Sequence, residues 1–469
     1  MRPLPPVVLA GALLAGCAVG PNYHRPPVDV PDRFYGAPEA VEAEARTLAD
    51  LPWWEVFEDP VLEGLIAEAL KNGYDARLAA ARVEEVRARY GVVRSDLFPV
   101  AGYQAGWERT RLDQFANPDN ETDTKWTAKV GFSWELDLWG RIRRLNEAAR
   151  ARYLATEEGR RGVLLSLTSE VATAYFELRE LDTELLIARR TTAAFQDTYD
   201  LFNRRLEGGA ASALETSRAE ASLGLVAAQI PELERAIVAR ENQINFLLGR
   251  RPQPIPRESP VAPRPPAIPA GLPASLLERR PDLRAAEQQL VAANAGIGAA
   301  KAAFFPALRL TGLFGNVSPE LGEVFSNGKT WSLATGILGP LFTAGSLKRT
   351  YEVTKAQWEQ AKVLYEAAVT NALAEVSTSL VARSKLVETE RQRARTVAAY
   401  QEAVRLANLR YLSGLSAYFE VLESQQQLFP AEIALAQTRR NQLIAVVDLY
   451  RALGGGWKAE ASPPAATQP

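Results

Sequence analysis

The stretch Asp75 to Pro99, DARLAAARVEEVRARYGVVRSDLFP, returns as Asp282 to Pro306, DLRAAEQQLVAANAGIGAAKAAFFP. Asp75/Asp282, Arg77/Arg284, Ala79/Ala286, Ala88/Ala295, Gly91/Gly298, Phe98/Phe305 and Pro99/Pro306 match without a gap. Further on, Gly140 answers to Gly345, and RLEGGAASALE (Arg205 to Glu215) to RYLSGLSAYFE (Arg410 to Glu420). The offset stays within 205 to 207 residues over most of the chain, the mark of an internal repeat. Whatever one copy folds into, the other must also form.

Each copy changes period twice. Trp126, Ala128, Val130, Phe132, Trp134, Leu136 and Leu138 alternate with Lys125, Thr127, Lys129, Gly131, Ser133, Glu135 and Asp137. A two-residue period with apolar side chains on one face predicts a strand. Ala101, Tyr103, Ala105 and Trp107 predict its hairpin partner, giving a hairpin over about 100–138. The run exceeds the usual strand of about 5–6 residues and carries Trp near both ends. A transmembrane strand fits it better than a half-buried sandwich strand. The second copy, about 306–341, is apolar and strand-like but alternates poorly, with Asn316 to Thr330 as its polar loop.

Long helices follow the hairpins. Leu167, Val171, Ala174, Leu178, Leu181, Leu185, Ala188, Thr192, Phe195, Tyr199, Phe202 and Leu206 step by three and four, a heptad seam. Leu347, Tyr351, Thr354, Trp358, Ala361, Tyr365, Ala368 and Ala372 begin a second. Gly140 to Leu206 as one helix spans about 100 Å. Gly208-Gly209 and Ser413-Gly414 end the long helices. Return helices over 212–248 and 417–452 contain Pro231 and Pro430, where a kink is expected. The copies therefore occupy 55–249 and 274–452, joined by a stiff proline-rich linker, 250–273, and followed by a tail, 453–469.

The apolar run ending in Leu14-Ala15-Gly16-Cys17 is too short to span a bilayer and reads as a signal peptide, 1–16. Leu-Ala-Gly-Cys resembles the lipobox of bacterial lipoproteins, with Cys17 as the lipidated residue and 17–54 as an anchored, proline-rich arm. A lone Cys and a lone His leave no disulfide framework or zinc site. A net charge of -2 offers nucleic acid no electrostatic case. No nucleophile–base pair or phosphate loop is present, so the chain reads as a non-enzyme needing no cofactor beyond its lipid.

Two hairpins give four strands, and the smallest membrane barrels have about 8. An open sheet edge in lipid leaves backbone groups unpaired at several kcal/mol each. Copies of the chain must therefore pool their strands. The helices are too polar for lipid and project away from it, making a conduit.

The stretches PNYHRP, LPWWEVFEDP, WELDLWGRIRR, ATAYFELR, RRPDLRAAEQQLVAANAGIGAAKAAFFP, FTAGS, RYLSGLSAYFEVLESQQ and LYRALGGGW resemble the outer-membrane factor lipoproteins of Gram-negative bacteria, the TolC/OprM-like efflux channels. The resemblance implies a mainly α fold with a membrane β-barrel. Four strands per protomer would be shared in a homotrimeric twelve-stranded barrel, continued by an α-helical coiled-coil barrel and a mixed α/β equatorial belt. It also implies a passive channel working with a periplasmic adaptor and an inner-membrane pump. By motif it places the periplasmic constriction at Phe419, Glu420 and Glu423, a ring that would attract cations. It places the constraint between inner and outer coils at Tyr411 with Glu215. Ser416 stands where the family has a basic partner. The turns at Gly208, Gly209, Ser413 and Gly414 would meet the adaptor.

Plainer readings remain open: Phe419 as coiled-coil core, Glu420 and Glu423 as a solvated face, Tyr411 as a packed aromatic, and the turn glycines as helix stops. The competing function is a coiled-coil envelope tether without a channel. One test is local: Cys17→Ser abolishes incorporation of labelled palmitate, and continued labelling refutes the lipobox reading.

Overall fold

The computed structural model describes residues 18–36, 56–57, 59–111, 122–257, 275–326 and 328–455. Cys17, the signal peptide, Trp53-Trp54, most of the linker and nearly all of the tail lie outside them. The elements in chain order are α1 (Pro60–Asn72), α2 (Tyr74–Ser95), β1 (Val100–Arg111), β2 (Thr122–Leu136), α3 (Arg141–Glu207), α4 (Ala213–Ala227) and α5 (Gln229–Leu247). The second copy gives α6 (Leu276–Arg279), α7 (Pro281–Ala302), β3 (Ala307–Ser318), β4 (Lys329–Leu338), α8 (Ser346–Leu412) and α9 (Phe419–Ala452). Among the described residues no helix is long and apolar enough to cross a membrane. The chain divides into two compact units, and neither coincides with one copy: each takes segments of both.

The first unit holds Arg82–Glu157, Ala285–Glu366 and the arm up to Pro27. Its centre is an antiparallel sheet in the order β1-β2-β3-β4, so the two copies join edge to edge through β2 and β3. The register sorts the side chains. Tyr103, Val130 and Phe314 lie in one cross-strand row with Trp331; Ala101, Phe132 and Gly312 lie in another with Leu333. Leu310 and Leu308 continue this apolar face beside Trp134 and Leu136. Gln104, Lys129, Thr311 and Ala334 fall on the other face, which is mostly polar or small but also carries Leu313 and Val317. The second hairpin alternates less cleanly than the first, as its sequence indicates: Leu313 and Val317 fall on the face opposite Leu310 and Phe314, and Asn316 falls on the apolar one. Gly312 lies on the apolar face under the Phe132 ring: a Cβ there would come within 2.2 Å of the ring. The expected polar loop is also shorter, since Asn316 and Ser318 still pair with Ala128 and Trp126.

The motif WELDLWGRIRR fastens the foot of this sheet. Trp134 Nε1 donates to Leu97 O at 3.1 Å. Asp137 caps α3 by accepting from the amides of Ile142 and Arg143. Trp139 stacks on Phe305 at 4.7 Å and donates to Pro306 O. Alanines 148, 151, 292 and 295 let α3 and α7 approach closely. The arm is tied down by Val19 to Trp139 O, Arg144 to Asn22, Asn294 to Pro21 O, and Tyr23 with Arg25 on Glu287.

The second unit holds Val28–Ala81, Glu158–Arg284 and Ala367–Pro469. Leu167, Val171, Ala174, Leu178, Ala188, Phe195 and Phe202 of the α3 seam are buried. Asp59 caps α1, which starts with Pro60, and also accepts from Tyr175 and Arg179. Asp75 does not cap α2, which begins one residue earlier at Tyr74, and serves instead in its first turn. The two return helices differ. The first is broken at Ala228 into α4 and α5, because Pro231 has no amide to offer Ala227 O. The second runs unbroken through Pro430.

The RRPDLR motif clamps three elements. Arg280 is buried and donates to Asp282, Glu375 and the carbonyl of Ala452. Burial alone would lower its affinity for a proton, but the two carboxylates more than offset this and hold it charged. Arg280→Met leaves those acceptors without their charged donor and should cost about 2–3 kcal/mol. Guanidinium unfolding in detergent, followed by helical circular dichroism, measures it; an unshifted midpoint contradicts the clamp.

Candidate gate at the helix turns

Both long helices end in the same turn. Gly209 and Gly414 have φ of +71° and +70°, a left-handed conformation that glycine adopts without steric cost. The amides of Ala210 and Gly209 reach back to Arg205 O and Leu206 O, and those of Leu415 and Gly414 to Arg410 O and Tyr411 O. Each pair is a Schellman cap. Gly208, Gly209, Ser413 and Gly414 are all exposed. A Cβ at Gly209 or Gly414 would meet nothing within 4 Å, so backbone conformation and not crowding requires these glycines.

The side chains around the two turns differ. At the first, Ser212 and Glu215 form a reciprocal capping box that starts α4. Hydrogen bonds from the Ser212 backbone and hydroxyl hold the Glu215 carboxyl below the usual range, and the nearby Arg205 guanidinium adds to this. At the second turn α9 starts without a side-chain cap, and Ser416 Oγ is buried without a hydrogen-bond partner among the described residues.

The expected Tyr411–Glu215 hydrogen bond is not formed. The Glu215 carboxylate is engaged by Ser212, and the Tyr411 hydroxyl accepts from Arg205 Nη1. The Arg205 guanidinium also lies over the Tyr411 ring, 5.4 Å from its centroid. Arg205 is thus the intermediary: it engages the phenol directly and acts electrostatically on the carboxylate. Within the protomer Phe419 stands outside the buried cluster. It is 54% exposed, with Arg218 5.5 Å from its ring centroid, while its neighbour Tyr418 takes the core seat. Glu420 faces Arg410 at 3.4 Å and Glu423 is exposed.

Two residues here, Tyr418 and Thr198, escaped the sequence reading. Tyr418, Thr198 and Phe202 are buried together; the Tyr418 ring meets Phe202 edge-on at 4.9 Å. The Phe202 position in the α3 seam was visible; the Tyr418 seat was not, because it depends on how the turn rotates α9. A buried carboxyl pair was also missed. Glu180 and Glu184, one turn apart on α3, are both buried, Glu180 beside Arg440 and Glu184 accepting from Gln437. Burial, then the hydrogen bond and charge of Glu184, push Glu180 up to about 8, against Arg440.

A duplicated chain of long antiparallel helices with a one-face-apolar sheet of two joined hairpins is the build of an outer-membrane channel protomer. The family model described as outer membrane efflux protein matches residues 65–250 and again 272–455, once per copy, and the chain belongs to that family. It is 36% identical over 454 residues to the probable efflux pump outer membrane protein TtgC of Pseudomonas putida, covering 95% of this chain and 94% of that one. It is 32% identical over 450 residues to the probable outer membrane lipoprotein SilC of Salmonella typhimurium, covering 95% and 97%. The open-state structure of the Neisseria gonorrhoeae MtrE outer membrane channel superposes with a TM-score of 0.83 at 33% identity, covering 94% of this chain and 98% of that one.

A Glu180 carboxyl raised above its unfolded value lets the folded state hold a proton that the unfolded state has lost. Its contribution is complete below the ordinary carboxylate range and is lost as pH rises through about 8. Melting temperature should therefore fall across that window, and Glu180→Gln should flatten the slope. An equal slope in the variant excludes Glu180 as its source.

Proposed function

We propose that three copies of this chain form the passive outer-membrane exit channel of a tripartite efflux system, receiving small molecules from an inner-membrane pump through a periplasmic adaptor. The outer membrane is its location, and transport without catalysis is its work. The single observation that carries the shared pore is the sheet. It has four strands, an apolar face and, among the described residues, no partner strand for β1 or β4. From Trp126 to Trp134 is eight residue steps, about 26 Å along the strand, which fits the apolar band of a membrane barrel. Trp331, Leu333 and Ile337 stay exposed on that face. Three such four-stranded sheets would close a twelve-stranded barrel with the more polar face inward.

The rest of the assembly follows in the same terms. Long helices from three chains continue the pore as a coiled-coil barrel. The arm, the linker and the C-terminal segment form its equatorial belt; Arg257 already ties the linker's start to Asp182 and Glu241. Cys17 carries the lipid, as the lipoprotein name of the Salmonella relative supports. The exposed turns at Gly208, Gly209, Ser413 and Gly414 receive the adaptor. Phe419, Glu420 and Glu423 form the constriction, and Arg205 links Tyr411 and Glu215 as its constraint. The tether alternative explains the heptad seam but gives the apolar sheet face nothing to do.

Purified protein in a planar bilayer should give discrete conductance steps; smooth leakage or silence supports the tether. Glu423→Ala should lower cation preference more than Glu420→Ala, because Arg410 already offsets part of the Glu420 charge. Unchanged reversal potentials in both variants would take the ring out of the mechanism.

A further inference from the structure

We propose that Tyr418 and Thr198 form a buried, uncharged latch that holds the first turn of α9 against α3 and so sets where Phe419 and Glu420 stand. The inference rests on the reading of this turn as the gate. It concerns a pair distinct from the exposed links at Arg205 and Arg410.

The geometry fixes the direction of the bond. Tyr418 Oη and Thr198 Oγ1 are 2.6 Å apart, at relative exposures of 9% and 6%. Thr198 has one hydroxyl proton and gives it to Ala194 O one turn back, at 2.9 Å. It can therefore only accept from Tyr418, and the phenol is the donor. Burial pushes the phenol's pKa up, so it keeps its proton. The Tyr418 ring is wedged edge-on between Phe202 and Tyr411, each at 4.9 Å, and Val421 and Leu422 complete a dry cluster around it.

Position gives the latch its consequence. Tyr418 is the residue immediately before α9, so seating it inward turns Phe419 outward. The α9 start has no side-chain cap, and Tyr418 anchors it in place of the Ser212 cap of the first copy. Arg410 and Glu420, at 56% and 48% exposure, are screened by salt. The buried hydroxyl pair is not. The turn is thus held by two kinds of link that ionic strength can separate.

The direction of donation makes the two single variants unequal. Tyr418→Phe removes the donor, but Thr198 keeps its bond to Ala194. Thr198→Val leaves a buried phenol with no acceptor, the more costly defect. In a planar bilayer at high salt, Thr198→Val should raise open probability on the order of tenfold, and Tyr418→Phe by less than about threefold. The double variant should fall back to the Tyr418→Phe level, and Thr198→Ser should match the parent. Thr198→Val behaving like the parent, or the double variant behaving like Thr198→Val, overturns the latch. Tyr411→Phe at low salt serves as the control for the gate. If it opens the channel and Thr198→Val does not, the latch alone fails. If neither does, the assignment of this turn as the gate fails with it. Should Thr198→Val not assemble, the parent in about 1 M KCl decides, where the Debye length is about 3 Å: a channel that opens once the exposed pairs are screened has no effective latch.

Discussion

An unpaired strand edge cannot stay in hydrocarbon, and this constraint organises the molecule. β1 and β4 expose their outer backbone groups, and each orphaned group costs several kcal/mol in lipid. The second copy supplies β3 and β4 but leaves the edge problem where it was. On the proposed reading, association of copies is what lets the apolar face meet lipid. The feet of the hairpins are correspondingly rigid. Trp134, Asp137, Trp139 and the Gly20–Gly298 approach fix the angle at which strands give way to helices. A barrel assembled from separate chains needs that angle to be the same in each.

Duplication gave the chain two equal frames, and the frames have since acquired different contents. The Schellman caps at Gly209 and Gly414 match bond for bond. Around them, Leu206 answers to Tyr411, Ser212 to Ala417 and Ala213 to Tyr418. The first copy starts its return helix with a polar cap in water, the second with an aromatic wedge in a dry cluster. Equal backbones thus carry chemically different contacts at the two turns.

Periodicity made much of this legible. The first hairpin, both long helices and both turns could be read from the period because each buries one face of a regular element. What escaped depends on contacts between elements. Gly312 broke the alternation of β3, although in the sheet it makes room for Phe132. Phe419 looked like seam and Tyr418 did not, because a heptad count cannot carry its phase across a turn of uncertain rotation. Tyr411 and Glu215 could be picked out at the two turns, but Arg205, which acts on both, could not: an arginine in a last helical turn reads first as a partner of the helix dipole.

The locks at the turn are weak, and a passive channel needs them to be. On the proposed reading of this turn as the gate, a closed state has to survive alone and still yield to a partner that binds the open state better. Moving a two-state equilibrium from 1:99 to 99:1 takes about 5.5 kcal/mol of differential binding. One buried hydrogen bond contributes about 0.5–1.5 kcal/mol net, and an exposed ion pair about 0.2–1. Summed over three chains, one buried and two exposed links of this kind come to about 3–10 kcal/mol. That range brackets what one docking event can offset. A buried salt bridge in the place of Tyr418 and Thr198 would cost about 3–5 kcal/mol per chain to break, and the channel would then be closed for good. A neutral phenol donating to a threonine hydroxyl is strong enough to hold the turn and weak enough to release it.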